Sequence, residues 1–150
     1  MTKRTVLTEV EVVFVGEQRV ARLATADEEG HPHVVPVCYA FDGARFYTPL
    51  DKKPKRVATS QLRRVRNITA RHEASLLIDR YDDDWSRLGY VLVHGRAELL
   101  PPEDAGHADS LVLLRQRYQQ YRSMALETLP VIVITPDQVT SWFYVPLADN

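Results

Sequence analysis

A chain of 150 residues, 45% hydrophobic and 26% charged, is large enough to bury one core and carries the balance of a water-soluble globular domain. Its one cysteine, Cys38, excludes an internal disulfide or a cysteine-rich metal centre, and no apolar run approaches a membrane span. The net charge of −1 hides a local imbalance: Lys52 to Arg71 contains eight cations and no acid, which leaves 11 cations against 20 acids elsewhere. Nucleic-acid binders are more often basic over a whole face and in total, so this pattern favours a pocket for a small anion. Lys3, Arg4, Glu9 and Glu11 interrupt the start where a signal peptide needs an apolar stretch, and the expectation is a single cytoplasmic domain over residues 1–150.

Thr8-Glu-Val-Glu11 has the form of a capping box and predicts a helix over 8–18, with Val10, Val13 and Phe14 on its apolar side. Val20 to Ala26 alternates, with Ala21, Leu23 and Thr25 on one face, and Glu29-Gly30 turns the chain into a second strand, His31 to Phe41. Pro36 cannot donate to a ladder, so that strand is an edge or is bulged there. Its place fits either an ordinary edge or one left open to a flat polar ring. Asp42-Gly43 is a turn signal, and Ala44 to Thr48 is the next strand.

Pro49 then leads into Lys52, Lys53, Pro54, Lys55 and Arg56, with Pro54 near the first position of a helix that runs to Arg71. Cations at a helix N-terminus oppose the macrodipole. The arrangement fits a solvated basic turn or an anion site, in which a phosphate or carboxylate offsets the repulsion. Ala58, Leu62, Val65 and Ile68 form the helix's apolar side, opposite Arg56, Arg63, Arg66 and Arg71.

Strands follow at Ala74 to Tyr81 and Leu88 to Leu100, separated by an acidic turn at Asp82 to Asp84. Pro101 and Pro102 end the second strand. A helix to about residue 122 has Ala108, Leu111, Tyr118 and Tyr121 at helical spacing. Val131 to Ile134, a turn at Pro136-Asp137, and Val139 to Val145 complete the chain. Short antiparallel strands with helices at the ends indicate a small barrel in the mainly β, α+β class. An edge strand at Pro36 and a chain ending in aromatics suggest pairing with a second copy.

No dinucleotide or Walker glycine loop occurs, no nucleophile stands in a recognised context, and no second histidine accompanies His94 at a metal-binding spacing. If the chain is an enzyme, its reactive atoms belong to a bound cofactor.

Arg22-Leu-Ala-Thr25, Gly30-His-Pro-His33, Val35-Pro-Val37, Phe46-Tyr-Thr48, Lys53-Pro-Lys-Arg56 and Leu76-Leu-Ile-Asp79, in that order and spacing, resemble the pyridoxamine 5′-phosphate oxidase-like split β-barrel superfamily. Tyr81-Asp-Asp-Asp-Trp-Ser-Arg-Leu88 and the late Trp142 are similar to its deazaflavin-dependent branch, which uses coenzyme F420. The resemblance implies a six-stranded split barrel and a homodimer with F420, or alternatively FMN, held between subunits. It places Val35, Pro36 and Val37 along the cofactor ring. It also implies Tyr47, Thr48, Lys53, Pro54, Lys55 and Arg56 around the phosphate, and Trp142 near the ring. Neither Arg, Lys nor His follows Trp142, so the basic tail that grips a phosphorylated substrate is missing and oxidation of pyridoxamine phosphate is not expected. Gly89-Tyr90 stands where relatives carry bulkier aromatics.

The expected activity is hydride transfer between a deazaflavin and a small conjugated organic substrate, with a proton from solvent, Tyr39 or Tyr47 and no catalytic residue assigned. The alternatives are an FMN protein, a cofactor carrier without activity, or a nucleic-acid module using Arg56, Arg63, Arg64 and Arg66. The last is opposed by the acid excess elsewhere.

Overall fold

The computed structural model describes residues 3–51 and 62–144. Seven antiparallel strands form one sheet: β1 (Ala21–Ala26), β2 (Pro32–Val37), β3 (Ala40–Phe41), β4 (Phe46–Pro49), β5 (Glu73–Arg80), β6 (Gly89–Leu100) and β7 (Val131–Phe143). Their order is β2-β1-β5-β6-β7-β4-β3. The α-helices among the described residues are α1 (Glu9–Glu17), α2 (Arg63–Arg71) and α3 (Ala105–Arg117).

The strand order forces a barrel. β2 and β3 are opposite edges, yet only Cys38 and Tyr39 lie between them. Laid flat, strand spacings of about 4.8 Å would put those edges about 29 Å apart. The steps from Val37 to Ala40 reach about 11 Å at most. The sheet therefore curls until its edges approach, giving a split barrel with a seam between β2 and the β3–β4 side.

This is the architecture that the resemblance implies, with seven strands among the described residues in place of its six. The extra strand arises because the predicted strand over 31–41 breaks at Tyr39. That side chain is 1% exposed, and its hydroxyl donates to the Val15 and Gln18 carbonyls at 2.6 and 3.1 Å. Its backbone N–H donates to the Tyr118 hydroxyl at 3.1 Å rather than to a strand.

The two strands expected after residue 130 are instead one. Pro136 and Asp137 form a bulge rather than a turn, because the register on β6 passes from Gly95↔Pro136 to His94↔Gln138 and leaves Asp137 as the extra residue. The chains touch closely here: a Cβ on Gly95 would stand 2.3 Å from the Thr135 carbonyl oxygen.

The core is Leu23, Leu76, Ile78, Val91, Val93 and Ile132, joined by Val65 and Ile68 from α2 as the periodicity predicts. On the outer face of β4 and the first half of β7, Leu111, Leu114, Tyr118 and Tyr121 form a second cluster with Tyr47, Val131 and Val133. Ala108, expected on that side, is exposed. No described element covers the remaining outer face, where Val34, half-buried Leu77 and Leu92, and exposed Tyr90 and Trp142 lie.

Helix α1 starts with the predicted capping box: Glu11 N–H donates to Thr8 Oγ1, and Thr8 N–H to Glu11 Oε1. Its buried side departs in part from expectation: Phe14 packs inward as expected, but the two valines do not. Glu11 is 1% exposed beside Phe14 and Val15, while Val10 and Val13 face outward. The carboxylate can be buried because the Arg4 guanidinium forks onto it at 2.5 and 2.8 Å. Burial alone would raise its pKa. The bonds from Arg4, the Ser141 hydroxyl and Thr8 N–H outweigh that and hold it at about 2. At the other end of α1, Arg117 of α3 donates to the Gly16 and Gln18 carbonyls and lies over the Tyr39 ring.

A carboxyl depressed in the folded state stabilises the fold above its unfolded pKa, and that contribution is lost as the pH falls toward the folded value. The wild type should therefore lose on the order of 2 kcal/mol between about pH 4.5 and 2, after a discount for solvent screening at half-exposed Arg4. Glu11→Gln should show a flatter pH dependence over that window in chemical denaturation; parallel curves for the two proteins would contradict the ion-pair account.

Candidate functional site in the barrel seam

A cavity of about 260 Å³ lies in the seam. Val20, Pro36, Val37 and Cys38 form one wall, and Thr48, Pro49 and Asp51 the other; Arg64 and Tyr121 complete it. Two prolines explain why the barrel stays open here. β3 pairs only Ala40↔Tyr47 and Phe41↔Phe46, so Thr48 and Pro49 have a strand partner only on the β7 side. Pro49 and, across the gap, Pro36 offer no N–H with which to join the edges.

Arg64 carries the main polar feature. Its Nε is buried and has no hydrogen-bond partner among the described residues. Burial lowers the guanidinium pKa against the opposing influence of Asp51, yet an arginine stays charged at any ordinary pH. A half-buried guanidinium lining a cavity of mixed polarity, with one nitrogen unsatisfied, favours an anion. Nearby, His33 Nδ1 is also buried and, among the described residues, without a partner. Burial first, then Arg63 and Arg64, lower the pKa of that imidazole. Asn67 Nδ2 donates to Thr25 Oγ1 at 3.0 Å and ties α2 to β1, which fixes the helix that carries Arg64.

Of the residues expected at a cofactor site, Pro36, Val37 and Thr48 line this cavity. Val35 points inward against the core from the same strand. Tyr47 turns to the opposite face of β4, where its hydroxyl donates to Asp42 Oδ2 at 2.7 Å; burial and Asp42 push its pKa up to about 12. Neither Tyr47 nor buried Tyr39 lines the seam, and both hydroxyls are engaged, which removes the reason for naming them as proton sources. Lys53, Pro54, Lys55 and Arg56 lie outside the described residues. Asp51 and Arg64, on either side of that segment, both line the cavity.

Trp142 is 46% exposed and stacked on Tyr90. It shares the outer face with Pro36, but β1, β5 and β6 stand between their strands. That puts them roughly 19 Å apart along the sheet. Away from the seam, Asp27, Glu29 and His31 bring ligand-type atoms within 4.8 Å of one another in the exposed β1–β2 turn, where Asp27 accepts bonds from the Glu29 and His31 backbone.

Asp51 was not singled out by sequence reasoning, Pro49 was read only as a loop residue, and Arg64 was named only for the nucleic-acid alternative. A signal existed for Arg64: it precedes buried Ile68 by four residues, so it stands on the border of the apolar side of α2 rather than opposite it.

The chain matches the pyridoxamine 5′-phosphate oxidase family over residues 7–143 and belongs to it. Among solved structures it is similar to a conserved hypothetical protein of Mycobacterium tuberculosis, with a TM-score of 0.71, 20% identity, and 100% and 96% of the two chains covered. A FAD-binding protein from Mesorhizobium loti gives a TM-score of 0.65 at 25% identity, with 94% and 97% covered. The heme storage protein HutZ from Vibrio cholerae gives 0.69 at 13% identity, with 90% and 93% covered. No curated protein sequence matches the chain.

The seam fits a phosphate-bearing cofactor on the chemistry of its donors, with an unpartnered buried guanidinium nitrogen in a polar opening. Arg64→Met should weaken FMN and inorganic phosphate binding by about tenfold or more, as expected for a lost charge-assisted bond. Thermal stability should hold or rise. Unchanged affinity for both, measured by calorimetry, would remove Arg64 from the site.

Proposed function

We propose that the protein is an oxidoreductase that binds a deazaflavin, coenzyme F420, in the seam and serves hydride transfer to a small conjugated organic substrate. The observation that carries this reading is the buried, unpartnered Arg64 Nε in a cavity walled by Pro36, Val37 and Thr48. Lys53, Lys55 and Arg56 belong to the same site by sequence, since the segment containing them joins Asp51 to α2. When bound, the deazaflavin supplies the hydride chemistry. The chain's own part is to hold the phosphate with these cations, to lay a donor-free proline edge beside the ring, and to exclude water with Val37 and Val20.

A homodimer is part of the proposal. The seam cavity of about 260 Å³ is smaller than the roughly 300–1,000 Å³ usual for ligand sites, so a cofactor needs a further wall. The uncovered outer face supplies a self-complementary surface, with Val34, Leu77 and Leu92 between Pro36 and Trp142. Pairing two such faces about a two-fold axis brings Trp142 of one copy toward Pro36 of the other, across a distance that one copy alone does not close. With both tyrosines occupied, the proton comes from solvent. A cytoplasmic location accords with the lone cysteine, and no helix among the described residues is long and apolar enough to cross a membrane.

FMN offers the same flat ring and phosphate, and the two cofactors separate in one experiment. Absorbance titrations with each, on the wild type and on Lys53→Glu and Lys55→Glu, should show both affinities falling by about tenfold or more. F420 should lose more, because its additional carboxylates draw on more of the basic segment. Light scattering should report a dimer. Unchanged affinity for both cofactors would overturn the assignment, and tighter binding of FMN than of F420 would favour the flavin.

A further inference from the structure

Helix α1 presents valines to solvent and a carboxylate to the core, the reverse of an ordinary surface helix. The Arg4 fork explains Glu11, but it does not explain why Val13 is 63% exposed. The outward residues line a second cavity, of about 410 Å³. Its floor is Val10, Val13, Phe14, Leu88 and Phe143, with the two phenylalanine rings packed edge to face at 5.2 Å. None of its lining residues belongs to the seam.

The charges on its rim are unbalanced. Glu9 and Glu17 both line the cavity, at opposite ends of α1, roughly 12 Å apart along the helix. Neither carboxylate is in an ion pair among the described residues. Glu17 is moreover in the last turn of the helix, where the macrodipole disfavours an acid. Arg117 reaches that end of α1, but its donors are spent on the Val15, Gly16 and Gln18 carbonyls. The remaining cation, Arg80, lies over the Phe14 ring with its Nε bonded to the Arg87 carbonyl. Ser86 is turned to Asp84.

We infer that this groove binds a small amphipathic amine, its apolar body on the Val10–Val13–Phe143 floor and its ammonium group at Glu17 or Glu9. The inference goes beyond the cofactor reading and does not depend on it. Aromatic and aliphatic walls of this size take a ring or short chain, and two unpaired carboxylates select the cation over a neutral or anionic relative.

The test uses a matched pair of probes, tryptamine and indolepropionate, on the full-length protein, with affinity from calorimetry and location from the methyl NMR signals of Val10 and Val13. Tryptamine should move those signals and bind about tenfold tighter than indolepropionate. Glu17→Gln and Glu9→Gln should together erase that preference, and Val13→Lys, at an exposed position that leaves folding intact, should abolish binding. Equal or tighter binding of indolepropionate, tryptamine binding that survives Val13→Lys, or no methyl shift with either probe would overturn the inference. Loss of F420 or FMN binding in the seam variants would leave it untouched.

Discussion

The fold depends on a two-residue bridge. Cys38 and Tyr39 carry the chain from one edge of the sheet to the other, which is geometrically affordable only if the sheet is curled. Tyr39 holds that curl. Its N–H is bound by the Tyr118 hydroxyl and its own hydroxyl by two carbonyls at the end of α1. Arg117 stacks on the same ring and donates to the same helix end, while the Tyr118 hydroxyl donates to the Arg19 carbonyl. α1, the bridge and α3 are thus joined by hydrogen bonds with buried tyrosines, where an unmade bond would cost more than a made one contributes.

A sheet curled in this way but not zipped must have a gap, and the seam cavity lies in it. Proline on both walls prevents a backbone ladder from closing it, a β3 of two residues leaves Thr48 and Pro49 without a partner on that side, and α2 places Arg64 over the opening. The family's split barrel and the seam cavity are therefore one structural fact seen twice.

Much of this was legible along the chain. The alternation of Ala21, Leu23 and Thr25, the Thr8–Glu11 capping box, the edge assigned from Pro36 and the apolar side of α2 all appear in the structure as read. Of the expected cofactor residues, Pro36, Val37 and Thr48 share one cavity. Arg64 was counted as a cation but not recognised as half-buried at the seam, because helical periodicity sorts residues by angle and an arginine on the border reads as solvated until the opposing wall is known. Glu11 was read only as a cap, and its burial was missed for a similar reason: the capping role is local, but the burial depends on Arg4 from the preceding segment and Ser141 from the last strand.

By itself the sequence determined most of the elements, the turns at Glu29-Gly30 and Asp42-Gly43, and the edge character of β2, since each of these rests on neighbours a few residues away. Tertiary structure alone decided that residues 31–41 break into two strands at opposite edges, and that residues 131–143 continue through a bulge against Gly95. It alone also decided which charges go inside and which valines stay outside. Those outcomes rest on contacts between residues as distant as Gln18 and Arg117, where the balance of desolvation against a well-placed partner is set by packing rather than by local preference.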